Sequence, residues 1–184
     1  STSRLQLDKE IREMDNRLRV ADFGHKFEII GQWAVRYSDL PQTLLRHKPH
    51  IVHFSGHGNM GGEIVLENDQ DEAHPVPARI LSKLFSVLKD NICCVVLNAC
   101  WSTEQAKAIA QEIDCVVGMS KAIGDKAAIS FAAGFYQALG FGRNIQEAFE
   151  LGCIEIDLAN ISEAATPQLL TKPGIIATDV ECGF

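Results

Sequence analysis

The run ICCVVLNAC, residues 92–100, constrains this chain more than any other stretch. It is almost continuously apolar, as expected of a central parallel strand covered on both faces. CVVGMS, residues 115–120, is a second buried strand of the same kind. Between them, STEQAKAIAQEI (102–113) opens on the capping-type Ser102 and Thr103 and reads as a helix. Strand, helix and strand in that order form a crossover between neighbouring parallel strands.

The rest of the chain extends this pattern. Leu7, Ile11, Met14 and Leu18 recur at helical spacing, predicting an amphipathic helix over about residues 5–20. FEIIGQWAV (27–35) reads as a strand, LPQTLLRH (40–47) as a short helix broken at Lys48-Pro49, and IVHFSG (51–56) as a strand. GGEIVLEN (61–68) suggests a hairpin-like excursion, followed by an acidic loop with Glu67, Asp69, Asp71 and Glu72. Pro75 and Pro77 introduce a helix over 78–90, and two further helices follow at about 125–140 and 144–159. The last 25 residues read as irregular, with a short strand at GIIA. Alternating strands and helices predict an α/β fold, an open and mostly parallel sheet with helices on both faces. No internal repeat or low-complexity linker divides it, so residues 1–184 are expected to form one domain. The chain lacks an initiator methionine and starts inside a helical pattern, which points to an excised domain or a processed chain.

Composition excludes several function classes. The net charge is −7 with basic residues scattered, so the electrostatic footprint of a nucleic-acid binder is missing, and anionic membranes are disfavoured as partners. No apolar run approaches a membrane span, and the polar N-terminus is no signal peptide. Six cysteines, at 93, 94, 100, 115, 153 and 182, lie mostly in apolar segments with no C-x-x-C pair. That argues against a zinc ribbon or a disulfide framework and for a reducing, cytoplasmic setting. Cys93, Cys94 and Cys115 are expected to be core packing.

Ligands and catalytic groups collect beyond the carboxyl ends of parallel strands. One strand ends at HFSGHG, presenting His57, and another at VVLNACWS, presenting Cys100, 43 positions later. The crossover between them lets both residues meet at one sheet edge. Cys100 stands before the N-terminus of the 102–113 helix, where the helix dipole favours a thiolate. A nearby imidazole can act as base toward the thiol and then as acid toward a departing amine. The glycines around His57 let a substrate backbone approach and leave the Gly58 amide free to face an oxyanion, with the Cys100 amide as second donor. Taken alone, His57 in a Gly-rich turn is more often structural than catalytic. A metal at His53 and His57 lacks further ligands in sequence, and the glycine turn lacks the lysine of a phosphate loop. His25, His47 and His74 read as surface or turn residues.

HFSGHG followed by VVLNACWS, with DKAAISFAAGFYQALGFGRNIQEAF behind it, resembles the CHAT domain, a prokaryote-rich branch of the caspase-like cysteine peptidases also related to separase. The similarity runs from about Leu5 to Leu170. It implies a caspase-like three-layer αβα sandwich with a His-Cys dyad of His57 and Cys100, and oxyanion donors on the Gly58 and Cys100 amides. His53 becomes a supporting residue on its strand, and Asn98, Asp125 and His53 are the residues expected around the substrate pocket. Relatives that cleave after basic residues often carry an acid two positions before the cysteine, where this chain has Asn98. Asp125 stands where related domains bring an acid near the pocket; its other reading is a cap for the 125–140 helix. Such domains also open with an apolar strand before the first helix, and that strand is absent from this sequence.

The resemblance further implies a regulated bacterial peptidase acting on a specific protein substrate in defence or cell death, with an activating or sensor partner and no cofactor. Some caspase-like enzymes use calcium, but the acids at 67–72 lack the Gly-centred loop of an EF-hand and read as a solvated hairpin tip. Two rival readings stand beside the peptidase. One is an inactive caspase-like module used for protein binding or assembly. The other is a flavodoxin-like ligand-binding domain, which explains the fold but not the paired motifs.

Overall fold

The structure, a computed structural model, describes residues 2–59 and 61–182, apart from the side chains of residues 2–5 and 67. In chain order the elements are α1 (Thr2–Arg19), α2 (Leu40–His47), β1 (Ile51–Ser55), β2 (Ile64–Glu67), β3 (Ala73–Val76), α3 (Ala78–Leu88) and β4 (Cys94–Asn98). Then come α4 (Thr103–Ile109), β5 (Cys115–Met119), α5 (Asp125–Gly140), α6 (Ile145–Leu158) and β6 (Pro167–Thr171).

Four strands make the main sheet in the order β1-β4-β5-β6. β1, β4 and β5 run parallel, and β6 closes the edge antiparallel to β5. Every residue of β4 and β5 is buried, as their apolar runs predict. Their side chains alternate between two cores. Cys94, Val96, Val117 and Met119 pack with Met14 and Leu18 of α1, Phe131 and Phe135 of α5, and Ile145 and Ile156 of α6. Val95, Leu97 and Val116 pack with Leu44 of α2, Leu81 and Phe85 of α3, and Ile109 of α4. The result is the expected α/β three-layer sandwich. The β2–β3 hairpin is an excursion between β1 and α3, and its apolar residues Ile64, Leu66 and Val76 join the second core.

Several expectations are corrected. Residues 27–35 form no strand; they are irregular and largely exposed, with a bend at Ala34. β-branched composition favours a strand only where a neighbouring strand offers a ladder, and none among the described residues pairs with this segment. The last strand is Pro167–Thr171, while Ile175 and Ile176 link a turn at Pro173 and Gly174 to a 3₁₀ segment at Ala177–Asp179. Proline at its first position suits an edge strand, which made the segment look like a loop. The helix predicted over 102–113 stops at Ile109 and continues as turns. The acidic residues form the turn of the hairpin, where Asp69 and Asp71 pair with Arg36 at 3.9 and 3.4 Å. The side chain of Glu67 lies outside the described residues.

Cys93 is not a free core thiol: it forms a disulfide with Cys182, 89 residues away, pinning the C-terminal segment to the residue before β4. That pairing removes part of the ground for a reducing compartment. Cys94, Cys100, Cys115 and Cys153 remain free. No helix among the described residues is long and apolar enough to cross a membrane.

Candidate active site

β1 and β4 are adjacent and in register, Ser55 opposite Asn98. Two residues beyond those partners stand His57 and Cys100, so the topology delivers both to the same sheet edge. The two strand ends touch through their backbones. A Cβ placed on Gly58 would lie 2.0 Å from the carbonyl oxygen of Cys100, so only glycine permits this approach. The turn carrying His57 is tied to the hairpin, with Val65 N donating to His57 O at 3.2 Å and Asn59 N to Glu63 O at 3.1 Å. His57 is exposed and Cys100 half-buried.

Beyond Cys100 the chain turns sharply. Trp101 takes a left-handed φ of 59°, which costs a non-glycine residue about 1 kcal/mol, and its amide donates to Lys121 O at 3.3 Å. The turn also separates β4 from β5. Their paired register covers Cys94 to Val96 and ends there. The Ser102 hydroxyl then spans the gap, donating to Leu97 O at 3.0 Å and accepting from Met119 N at 2.9 Å. Ser102 therefore splices two strands and caps no helix, contrary to its sequence reading.

The Cys100 Sγ accepts from Ile123 N at 3.4 Å and donates to Ile123 O at 3.6 Å. Among the described residues no hydrogen bond joins it to the His57 ring, and none uses the amide of Gly58 or of Cys100. Catalytic hydrogen bonds often tighten only when substrate is bound. Asp125 is exposed and sits two residues after Ile123 as the first residue of α5, with Gly124 in the capping position. Gly124 and not Asp125 therefore holds the cap position, and the Gly124 amide donates to Glu163 at 2.9 Å.

His53 and Asn98 face the other way, into a buried polar network centred on Glu10 of α1. Glu10 is only 3% exposed. Its carboxylate accepts from Asn98 Nδ2 at 2.6 Å, from the Ser55 hydroxyl, and from His53 Nε2 at 2.9 Å. The opposite ring nitrogen of His53 meets the Tyr136 hydroxyl of α5 at 2.8 Å. Asn98 Nδ2 also donates to Ala128 O at 3.0 Å. Burial pushes the Glu10 carboxyl up, but the hydrogen bond and charge of His53, with the bonds from Ser55 and Asn98, outweigh it and hold the group below its ordinary 4.5. Burial, with Cys94 and Glu10 nearby, pushes the Tyr136 phenol well above its usual range. Sequence reasoning missed Glu10 and Tyr136. The signal for Glu10 was a carboxylate on the apolar stripe of Leu7, Ile11, Met14 and Leu18.

The remaining thiols are unsuited to attack. Burial, with Cys115 beside it, pushes Cys94 well above the ordinary thiol range. Burial and Asp114 push Cys115 up to about 12, and burial with Asp157 and Glu150 pushes Cys153 up to about 11. Among the described residues no group of three or more His, Cys, Asp or Glu side chains is placed to hold a metal.

A caspase-like α/β sandwich with a histidine and a cysteine at the carboxyl ends of neighbouring parallel strands defines the class of fold. Within that class, the CHAT domain matches residues 11–151, and the chain belongs to the CHAT domain family. It is 26% identical over 148 residues to a Roc-COR-CHAT protease from an unknown prokaryotic organism, covering 77% of this chain and 14% of that protein. It is 23% identical over 146 residues to a probable protease of Gillisia limnaea, covering 77% of this chain and 26% of that one. The chain thus spans about a quarter or less of the relatives it matches.

Proposed function

We propose that this domain is a cysteine endopeptidase in which His57 and Cys100 form the dyad. The observation that carries the reading is the seating of Gly58 against the Cys100 backbone at adjacent strand ends. The family and its protease-named relatives support peptidase chemistry at the level of class.

In the proposed reaction the Cys100 proton passes to the His57 ring, and Sγ attacks the peptide carbonyl carbon. The carbonyl oxygen becomes an oxyanion that accepts from the Gly58 and Cys100 amides. The C–N bond then breaks as His57 returns the proton to the leaving amine. Water, deprotonated by His57, attacks the thioester, and Sγ leaves and regains its proton. Asp125, two residues beyond the thiol's backbone partner, is the acid we assign to a basic side chain of the substrate. The setting we propose is the bacterial cytoplasm, on the ground of the four free cysteines, with cleavage of one protein partner under the control of another domain or partner.

One observation favours a second reading, a module that binds without cleaving: Sγ is held by Ile123 and not by His57. Labelling separates the two. A peptide-based electrophile should modify Cys100, and His57→Ala should abolish that labelling in a folded chain. Equal labelling of both would remove the dyad.

A further inference from the structure

The proposed cleavage does not use the most elaborate polar cluster in the molecule. Glu10 accepts from three side chains while almost fully buried. Burying a carboxylate is costly unless donors surround it, and an aliphatic side chain would pack there more cheaply. The position of the donors shows what the carboxylate does. Ser55 is the last residue of β1 and Asn98 the last of β4, and they are direct register partners. His57 and Cys100 each follow two residues later. The third donor, His53, stands two residues before Ser55 on the same face of β1. His53 engages both ring nitrogens, Nε2 with Glu10 and Nδ1 with the Tyr136 hydroxyl, while Asn98 Oδ1 is buried with no partner among the described residues.

We infer that Glu10 is the positioning residue of the dyad: one carboxylate, supplied by α1, ties the carboxyl ends of β1 and β4 together and so sets the spacing of His57 and Cys100. The inference rests on the dyad reading above. The β1–β4 ladder ends at Ser55 and Asn98, so nothing in the backbone pairing fixes the two residues beyond it. Glu10 acts at that boundary. It comes from a helix packed into the core on one face of the sheet and bonds both strands through side chains. In Glu10→Gln the carboxamide oxygen can still face His53 and Asn98, but both bonds lose their charge, and the NH₂ group faces the Ser55 hydroxyl, which must turn from donor to acceptor. Glu10→Asp keeps the charge with a shorter reach.

The test is the rate at which iodoacetamide alkylates Cys100 in the 184-residue chain, with folding followed by circular dichroism. Glu10→Gln should slow alkylation by about tenfold to a hundredfold, the effect of a misplacement on the ångström scale. Glu10→Asp should recover part of the loss. His57→Ala should also slow it, and Glu10→Gln added to His57→Ala should change the rate by no more than about twofold, because both act through the same spacing. A wild-type rate in folded Glu10→Gln overturns the inference and leaves the dyad standing. So does an equal slowing in the presence and absence of His57, the signature of a merely structural role. A wild-type rate in His57→Ala overturns the dyad reading itself, and the inference with it. Should Glu10→Gln not fold, Ser55→Ala removes one donor from the end of β1 and faces the same criteria.

Discussion

Ser55 and Asn98 are register partners at the carboxyl ends of β1 and β4, and both donate to the same buried carboxylate. The pair marks where sheet geometry ends and the geometry of the site begins. Beyond it the chain has only Gly58 against Cys100, and the turns on either side, to bring a histidine and a thiol together.

Gly58→Ala should therefore be among the most damaging small substitutions in the protein. The added methyl would sit 2.0 Å from the Cys100 carbonyl oxygen, so one strand end must move. We expect a loss of about 2 kcal/mol in urea unfolding, together with loss of Cys100 labelling. Unchanged stability and labelling would show that the two turns do not meet.

Glu10 predicts an acid-side instability. Its folded-state pKa lies below the ordinary 4.5, so its carboxylate contributes stability above that value, and the contribution is lost as pH falls from there through the folded pKa. Glu10→Gln should be less stable than wild type at neutral pH but lose less on acidification below about pH 4.5. Glu10→Ala, which strands three buried donors, should cost about 3 kcal/mol at pH 7. Parallel pH–stability curves for wild type and Glu10→Gln would contradict the assignment.

The thiols should react in a fixed order. At pH 8 a thiol with pKa about 11, like Cys153, is ionised in about one molecule per thousand, and Cys115, near 12, in fewer still. Mass spectrometry of a timed alkylation should find Cys100 modified first, Cys153 later, and the fully buried Cys94 and Cys115 last. Early modification of Cys94 would require an opening of the sheet that this fold does not contain.

Reduction should matter far from the site. The Cys93–Cys182 bridge closes a separation of 89 residues and fastens the segment whose Val180 O accepts from Ile145 N at 3.0 Å. Removing such a crosslink costs about 3 kcal/mol, so Cys182→Ser or added dithiothreitol should lower the melting temperature by several degrees. Equal melting with and without reductant would mean the bridge contributes nothing.

Much of this was legible in the sequence where burial is one-sided or complete. β4 and β5 announce themselves because both faces of each strand are covered, and α1 because its apolar residues recur every three or four positions. The segment at 27–35 carried the same β-branched signal and failed, because a strand needs a partner and composition cannot supply one. β6 was hidden by its opening proline, harmless at the edge of a sheet. That the turns carrying His57 and Cys100 lie at one sheet edge was readable because β1 and β4 are parallel neighbours. Glu10 was not, although it interrupts an apolar stripe, because its meaning depends on three donors 43, 45 and 88 residues away. Asn98 and His53 were expected beside substrate and instead serve that carboxylate from beneath. Cys93 gave no local sign of its distant partner.

The central claim is that Cys100 and His57 cut peptide bonds. Its most direct test compares the new protein N-termini that appear in a bacterial lysate, supplemented with candidate activating partners, after treatment with wild type, Cys100→Ala or His57→Ala. The account predicts a small set of new N-termini with wild type that is missing from both variants, with basic residues favoured just before the cuts. Identical sets of N-termini in all three treatments would contradict it.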